Sequence, residues 1–252
     1  MGRATQRSIE ILELVAQKKG AWSHAEIARQ LGIPKSTLTG LLRDLVRQQY
    51  LELDGDAFYS IGPRVLILSR AYLGRMEVVS RSKDILARLS ESADEAASVA
   101  VRQGSEIVVV AQEVPTRPLV AAMAVGDRAP LVATATGKSI LAFMDPEAVA
   151  EIVAREGGAP STAKRRGTTD LMAELARIRA GSLATNDEEW MEDISAIALP
   201  ILTPEGAIAS IAVAAPTIRM TKAWLTSVEP RLRAAAADLA LRMGGSVDHL
   251  AS

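Results

Sequence analysis

The chain has 252 residues, 48% hydrophobic and 23% charged, the composition of an ordinary globular protein with room for one or two domains. It holds no Cys and two His, His24 and His249, which excludes disulfides and a cysteine nucleophile and leaves no basis for a His-built triad or metal centre. The net charge of −1 hides a split, with 11 Lys+Arg against 7 Asp+Glu in residues 1–75 and 18 against 23 beyond, so the head alone suits a polyanion.

In chain order, "TQRSIEILELVAQ" (5–17) sets Ile9, Leu12, Val15 and Ala16 at helical spacing. A second helix starts at "SHAEIARQL", where Ser23 and Glu26 have the spacing of a capping box. Gly32 closes it, and Pro34 opens a third helix with Leu38, Leu41, Leu42 and Leu45 in one apolar stripe. "YLELDGDAFYSI" reads as two strands around an Asp-Gly turn, completing a winged unit. "PRVLILSRAYLGR" then forms a linker helix with more apolar residues than one face needs.

The remainder alternates helices and antiparallel strands. "EVVSRSKDILARLSESA" predicts an amphipathic helix with Val78, Ile85, Leu86 and Leu89 inward. Strands are expected at "AASVAVRQ", "EIVVVAQEV", "AIALPIL" and "AIASIAVAAP", and helices at 137–144, 146–155, 169–180 and 221–242. The sum is an α+β fold: a winged helix-turn-helix over 1–62, a linker helix over 63–76 and a mixed α/β domain over 77–252.

Three stretches invite chemistry. Ala28, Gly32 and Leu38 have the spacing of a helix-turn-helix, with a small residue at the close approach, a glycine at the turn and an apolar lock. The leucine stripe leaves Lys35, Ser36, Thr39, Gly40 and Arg43 facing away, where short hydroxyls and cations reach phosphates and base edges. With Ser23 and Thr37 they form the candidate DNA-binding set, and Arg3, Arg7 and Arg64 are expected on phosphates. Gly40 weakens the helix by up to ~1 kcal/mol relative to Ala, and Asp54 and Asp56 at the wing tip would repel phosphates.

The second, "ATATGKSI", ends like a phosphate loop, but Val132 stands where that loop needs its first glycine. It reads instead as a helix start capped by Thr134, able to hold a carboxylate on free N–H groups. The third, the acidic run "NDEEWMED" (186–193), reads as a solvated loop, as does the basic "AKRRG" (163–167). No run is long and apolar enough for a membrane span, and "MGRATQRS" lacks a signal-peptide core, so a cytoplasmic protein without membrane contact is expected.

These motifs carry a resemblance. "SIEILELVAQ" and "SHAEIARQLGIPKSTLTGLLRDLVRQQYLE" in the head, with "AVGDRAPLVATATGKSILAF", "ELARIRAGSLATNDEE", "AIALPI" and "APTIRMT" in the body, resemble the IclR family of bacterial transcriptional regulators over nearly the whole chain. The resemblance implies a winged head, a linker helix and an effector domain built like a GAF or PAS-type sensor. It also implies homodimers through head and linker, paired into homotetramers through the effector domains. The partners implied are double-stranded DNA, as operator, and a small-molecule effector; no cofactor, no metal and no catalytic residue is expected.

The family's effector contacts fall on Ala135 and Thr136, on Asn186 where the family carries an acid, on Ala196 where it often carries Cys, and near Ala212 and Ala214 where it carries hydroxyls. Met123 and Trp190 complete the expected effector-binding set. Such a pocket offers an anion site at a helix start and alanines elsewhere, which suits an aromatic or medium-chain carboxylate. In the head, Thr39-Gly40 replaces the family's common basic residue. The reading is a ligand-responsive repressor rather than an activator or an enzyme. The alternative is a constitutive DNA-binding protein whose C-terminal domain serves only oligomerisation.

Overall fold

The computed structural model describes residues 2–17, 20–117, 120–156 and 168–247. The chain divides into two compact units, Met1–Arg75 and Met76–Ser252. The basic 163–167 stretch and His249 lie outside the described residues.

The first unit runs α1 (Arg3–Ala16), β1 (Trp22–Ser23), α2 (His24–Leu31), α3 (Lys35–Arg47), β2 (Leu51–Leu53), β3 (Phe58–Ile61) and α4 (Arg64–Gly74). Ile11, Leu14, Val15, Ile27, Ile33, Leu38, Leu42 and Leu51 form its core. On α1 the inward face is Ile11, Leu14 and Val15; of the expected stripe only Val15 is buried, Leu12 is half-buried, and Ile9 and Ala16 are exposed. Ser23 caps α2 in a complete capping box with Glu26. Gly32 takes the left-handed conformation at φ 61°, and the N–H of Ile33 bonds back to the Ala28 carbonyl. That closure turns the chain sharply into α3. Pro34 sits just outside α3 as its N-cap, rather than as the first helical residue.

Two features of the wing differ from expectation. The sheet has three strands in the order β1-β3-β2, because the two residues before α2 also pair with β3. A two-residue strand has no periodicity to read. The wing turn spans Asp54 to Ala57, and the left-handed residue is Ala57, not Gly55. The Asp54 carboxylate accepts from the N–H groups of Asp56 and Phe58, which holds that turn without a glycine at its end.

The second unit runs α5 (Glu77–Ala93), β4 (Ala96–Gln103), β5 (Glu106–Glu113), β6 (Arg128–Pro130), α6 (Ala135–Leu141), α7 (Pro146–Glu156), α8 (Thr168–Arg179), β7 (Ala184–Asp187), β8 (Ile194–Thr203), β9 (Gly206–Pro216) and α9 (Lys222–Arg242). Its sheet has the order β6-β5-β4-β9-β8-β7 with every pair antiparallel. One face packs against α5 and α9, and the other against α6 with α7 and α8 beyond it. The short edge strands β6 and β7 were not legible as strands, and α6 starts at Ala135 rather than at 137.

Candidate functional site

Lys35, Ser36, Thr37, Thr39 and Arg43 are exposed on α3, opposite the buried Leu38 and Leu42. Gly40 is half-buried among them, and a Cβ there would meet nothing within 4 Å. The Thr39 hydroxyl donates to the Lys35 carbonyl at 2.9 Å and lies 3.0 Å from His24 Nε2. A hydroxyl has one proton, so the His24 ring is the donor of that second bond. His24 thus stands beside the exposed face of α3, a neighbour the sequence did not point to. Ser23 is different: its hydroxyl is engaged with Glu26 in the capping box, which leaves it little to offer DNA. On α1, Arg3 is exposed and Arg7 half-buried, and the Arg64 guanidinium stacks over the Tyr50 ring at 5.9 Å.

In the second unit, strand register builds a pocket. Asn186 pairs with Ala196, Ala196 with Ala214, and Ala214 with Ala96, giving one row across four strands. The next row sets Ala212 against Ser98 and Ser98 against Gln112. Side chains on one sheet face recur at every second residue, so these rows share the face beneath α6. Alanines in register leave the space between sheet and helix unfilled. The cavity, about 90 Å³ in volume, is lined from above by Thr134, Ala135, Thr136, Trp190 and Met123. All eight residues expected to bind effector line it: Met123, Ala135, Thr136, Asn186, Trp190, Ala196, Ala212 and Ala214.

Its polar groups are few and specific. Thr134 is spent as a cap, accepting from the Gly137 N–H and donating to the Pro130 carbonyl. The buried Asn186 uses its Oδ1 to accept from the Glu189 N–H at 2.8 Å, which leaves its amide N–H₂ toward the cavity. Among the described residues, neither that amide nor the Thr136 hydroxyl has a hydrogen-bond partner. The sequence missed Ser98 and Gln112, which bring a hydroxyl and an amide to a floor expected to be purely alanine. The available signal was a polar residue at the inward parity of each of two apolar strands. No charged side chain lines the cavity among the described residues.

The flanking motifs have structural roles. Lys138 is fully buried, with Nζ 3.0 Å from Glu174 Oε1 and 2.8 Å from Glu189 Oε1. The 186–193 segment is solvated only in part: Asp187, Met191, Glu192 and Asp193 are exposed, but Asn186 and Glu189 are buried, and Glu189 closes an ion cluster joining α6, α8 and the loop after β7. A Cβ on Gly137 would collide with the Leu131 backbone, which accounts for the glycine of "TGKS" without a nucleotide. Among the described residues, no three His, Asp or Glu side chains gather to hold a metal, and no helix is long and apolar enough to cross a membrane.

Comparison with known families matches both units. Residues 4–55 match the IclR helix-turn-helix domain, and residues 70–241 match the bacterial transcriptional regulator IclR C-terminal domain. The chain belongs to the IclR family. It is 28% identical to the Pca regulon regulatory protein of Pseudomonas putida, over 95% of this chain and 83% of that one. It is 26% identical to the transcriptional repressor IclR of Escherichia coli K12, over 95% of this chain and 89% of that one. An IclR transcriptional regulator from Alicyclobacillus acidocaldarius has the same fold, with TM-score 0.83 at 21% identity over 96% of this chain and 98% of that one. The IclR-family chain is thus a transcriptional regulator and not an enzyme, with a DNA-binding helix-turn-helix and an effector-binding, GAF-like C-terminal domain.

Proposed function

We propose that this regulator is a repressor, that α3 with Arg3 and Arg7 forms its operator contact, and that its effector is a monocarboxylate with an apolar body. The observation that carries the effector reading is the alanine floor beside donors that have no partner among the described residues. The Thr136 hydroxyl and the Asn186 amide line the cavity together with Ala135 at the start of α6. A carboxylate there accepts several hydrogen bonds, each worth about 1.5–3 kcal/mol when the acceptor is charged. An aromatic or alkyl body along Ala196, Ala212 and Ala214 gains about 25 cal/mol per Å² buried. Effector binding releases the operator by no more than its differential affinity for the two states of the regulator.

Calorimetry on the full chain with phenylpropanoate, hexanoate and pyruvate tests the reading. The two larger acids should bind and pyruvate should not, and Thr136→Val should weaken the larger acids about tenfold or more. Tight pyruvate binding, or affinity indifferent to Thr136→Val, would sink it. The lack of any charged lining residue favours one second reading, an uncharged ligand of the same shape. Phenylpropanamide binding as tightly as phenylpropanoate would select that reading instead.

A further inference from the structure

We propose that Ser98 and Gln112 form a second polar anchor, so that the effector carries a neutral hydroxyl or carbonyl group at the end remote from its acid. The inference rests on the acid reading above and extends it. Ser98 and Gln112 are register partners on neighbouring strands, both on the cavity-lining face, and Ala212 is the next residue along the same row. Among the described residues, neither side chain has a hydrogen-bond partner. Between them they offer donors and acceptors but no charge, which matches a neutral polar group and not a second carboxylate.

Register also sets the spacing. From Asn186 on β7 to Ser98 on β4 the path crosses three strand intervals and slips by two residues. At the spacings of a β-sheet that is on the order of 16 Å between Cα atoms. Side chains and a hydrogen bond at each end shorten that gap, and the ligand must bridge what remains. Two- or three-carbon acids are too short to bridge it. An arylalkanoic acid with a distal hydroxyl, or a medium-chain acid with a terminal one, spans that distance. An unsubstituted acid of the same length would leave the Ser98 hydroxyl and the Gln112 amide facing an apolar end.

The test compares phenylpropanoate with its para-hydroxy form by calorimetry on the full chain, in the wild type, in Ser98→Ala, in Gln112→Leu and in the double variant. The ratio of the two affinities is the readout, because a general loosening of the pocket moves both acids together. The wild type should prefer the hydroxylated acid about tenfold, equivalent to roughly 1.4 kcal/mol. Each single variant should reduce that preference and the double variant should abolish it. Equal affinities in the wild type, or a preference that survives the double variant, overturns the anchor while leaving the acid reading intact. If neither acid binds the wild type, the acid reading fails and the anchor falls with it.

Discussion

Lys138 Nζ lies 2.8 Å from Glu189 Oε1, with both side chains buried, and this ion pair ties α6 to the loop that carries Trp190. Glu174 on α8 holds the same ammonium at 3.0 Å. Ion pairs of this kind add little net stability when made, yet breaking one by removing a single partner leaves charge stranded in low dielectric. Lys138→Met should therefore lower the stability of the second unit by about 3–5 kcal/mol. Urea denaturation followed by Trp fluorescence would show it, and a wild-type midpoint would contradict the account.

Two glycines on helices should respond with opposite sign. Gly137→Ala pushes a Cβ into the Leu131 backbone, and overpacking of this kind costs about 1–3 kcal/mol. Gly40→Ala meets open space inside α3, where Ala is favoured over Gly by up to about 1 kcal/mol. Thermal unfolding of the two variants should move apart, with Gly137→Ala below the wild type and Gly40→Ala at or above it. A shift in the same direction for both would refute the geometric explanation.

Arg43 stands exposed one turn beyond Thr39 on α3. If it reads a base, Arg43→Ala should cost about 1–3 kcal/mol of operator affinity and relax preference at one position. If it meets phosphate alone, binding should weaken for all sequences alike and the salt slope should flatten by about one. Fluorescence anisotropy across a salt series separates the two, and unchanged affinity and slope would remove Arg43 from the interface.

Among the described residues of α4 none is buried, and Leu66 is 71% exposed, Ile67 66% and Leu68 55%. A helix with this much uncovered apolar surface suits a partner helix, and in a homodimer that partner is a second α4. Leu66→Asp and Leu68→Asp should shift the chain toward monomer and raise the protein concentration needed for operator binding. Analytical ultracentrifugation at low micromolar concentration checks this, and unchanged mass for both variants would remove α4 from any contact between copies.

The head was largely legible from sequence because its determinants are local. A capping box spans Ser23 to Glu26, the turn needs Gly32 within a few residues of Ala28, and helical periodicity aligns Leu38 with Leu42. Helix caps and amphipathic stripes act over one or two turns, so neighbouring residues suffice to specify them. The wing's third strand escaped because two residues at β1 carry no pattern of their own. The pocket was legible only in part. The resemblance marked eight lining residues, but Ser98 and Gln112 joined them through the pairing of β4 with β5 and β9. Lys138 looked like the lysine of a failed phosphate loop, and Glu189 like one acid of a solvated run. Each is buried because the other is, 51 residues apart. Register between strands distant in the chain, and ion pairing across that distance, belong to the packed sheet and helices, and only the tertiary structure decided them.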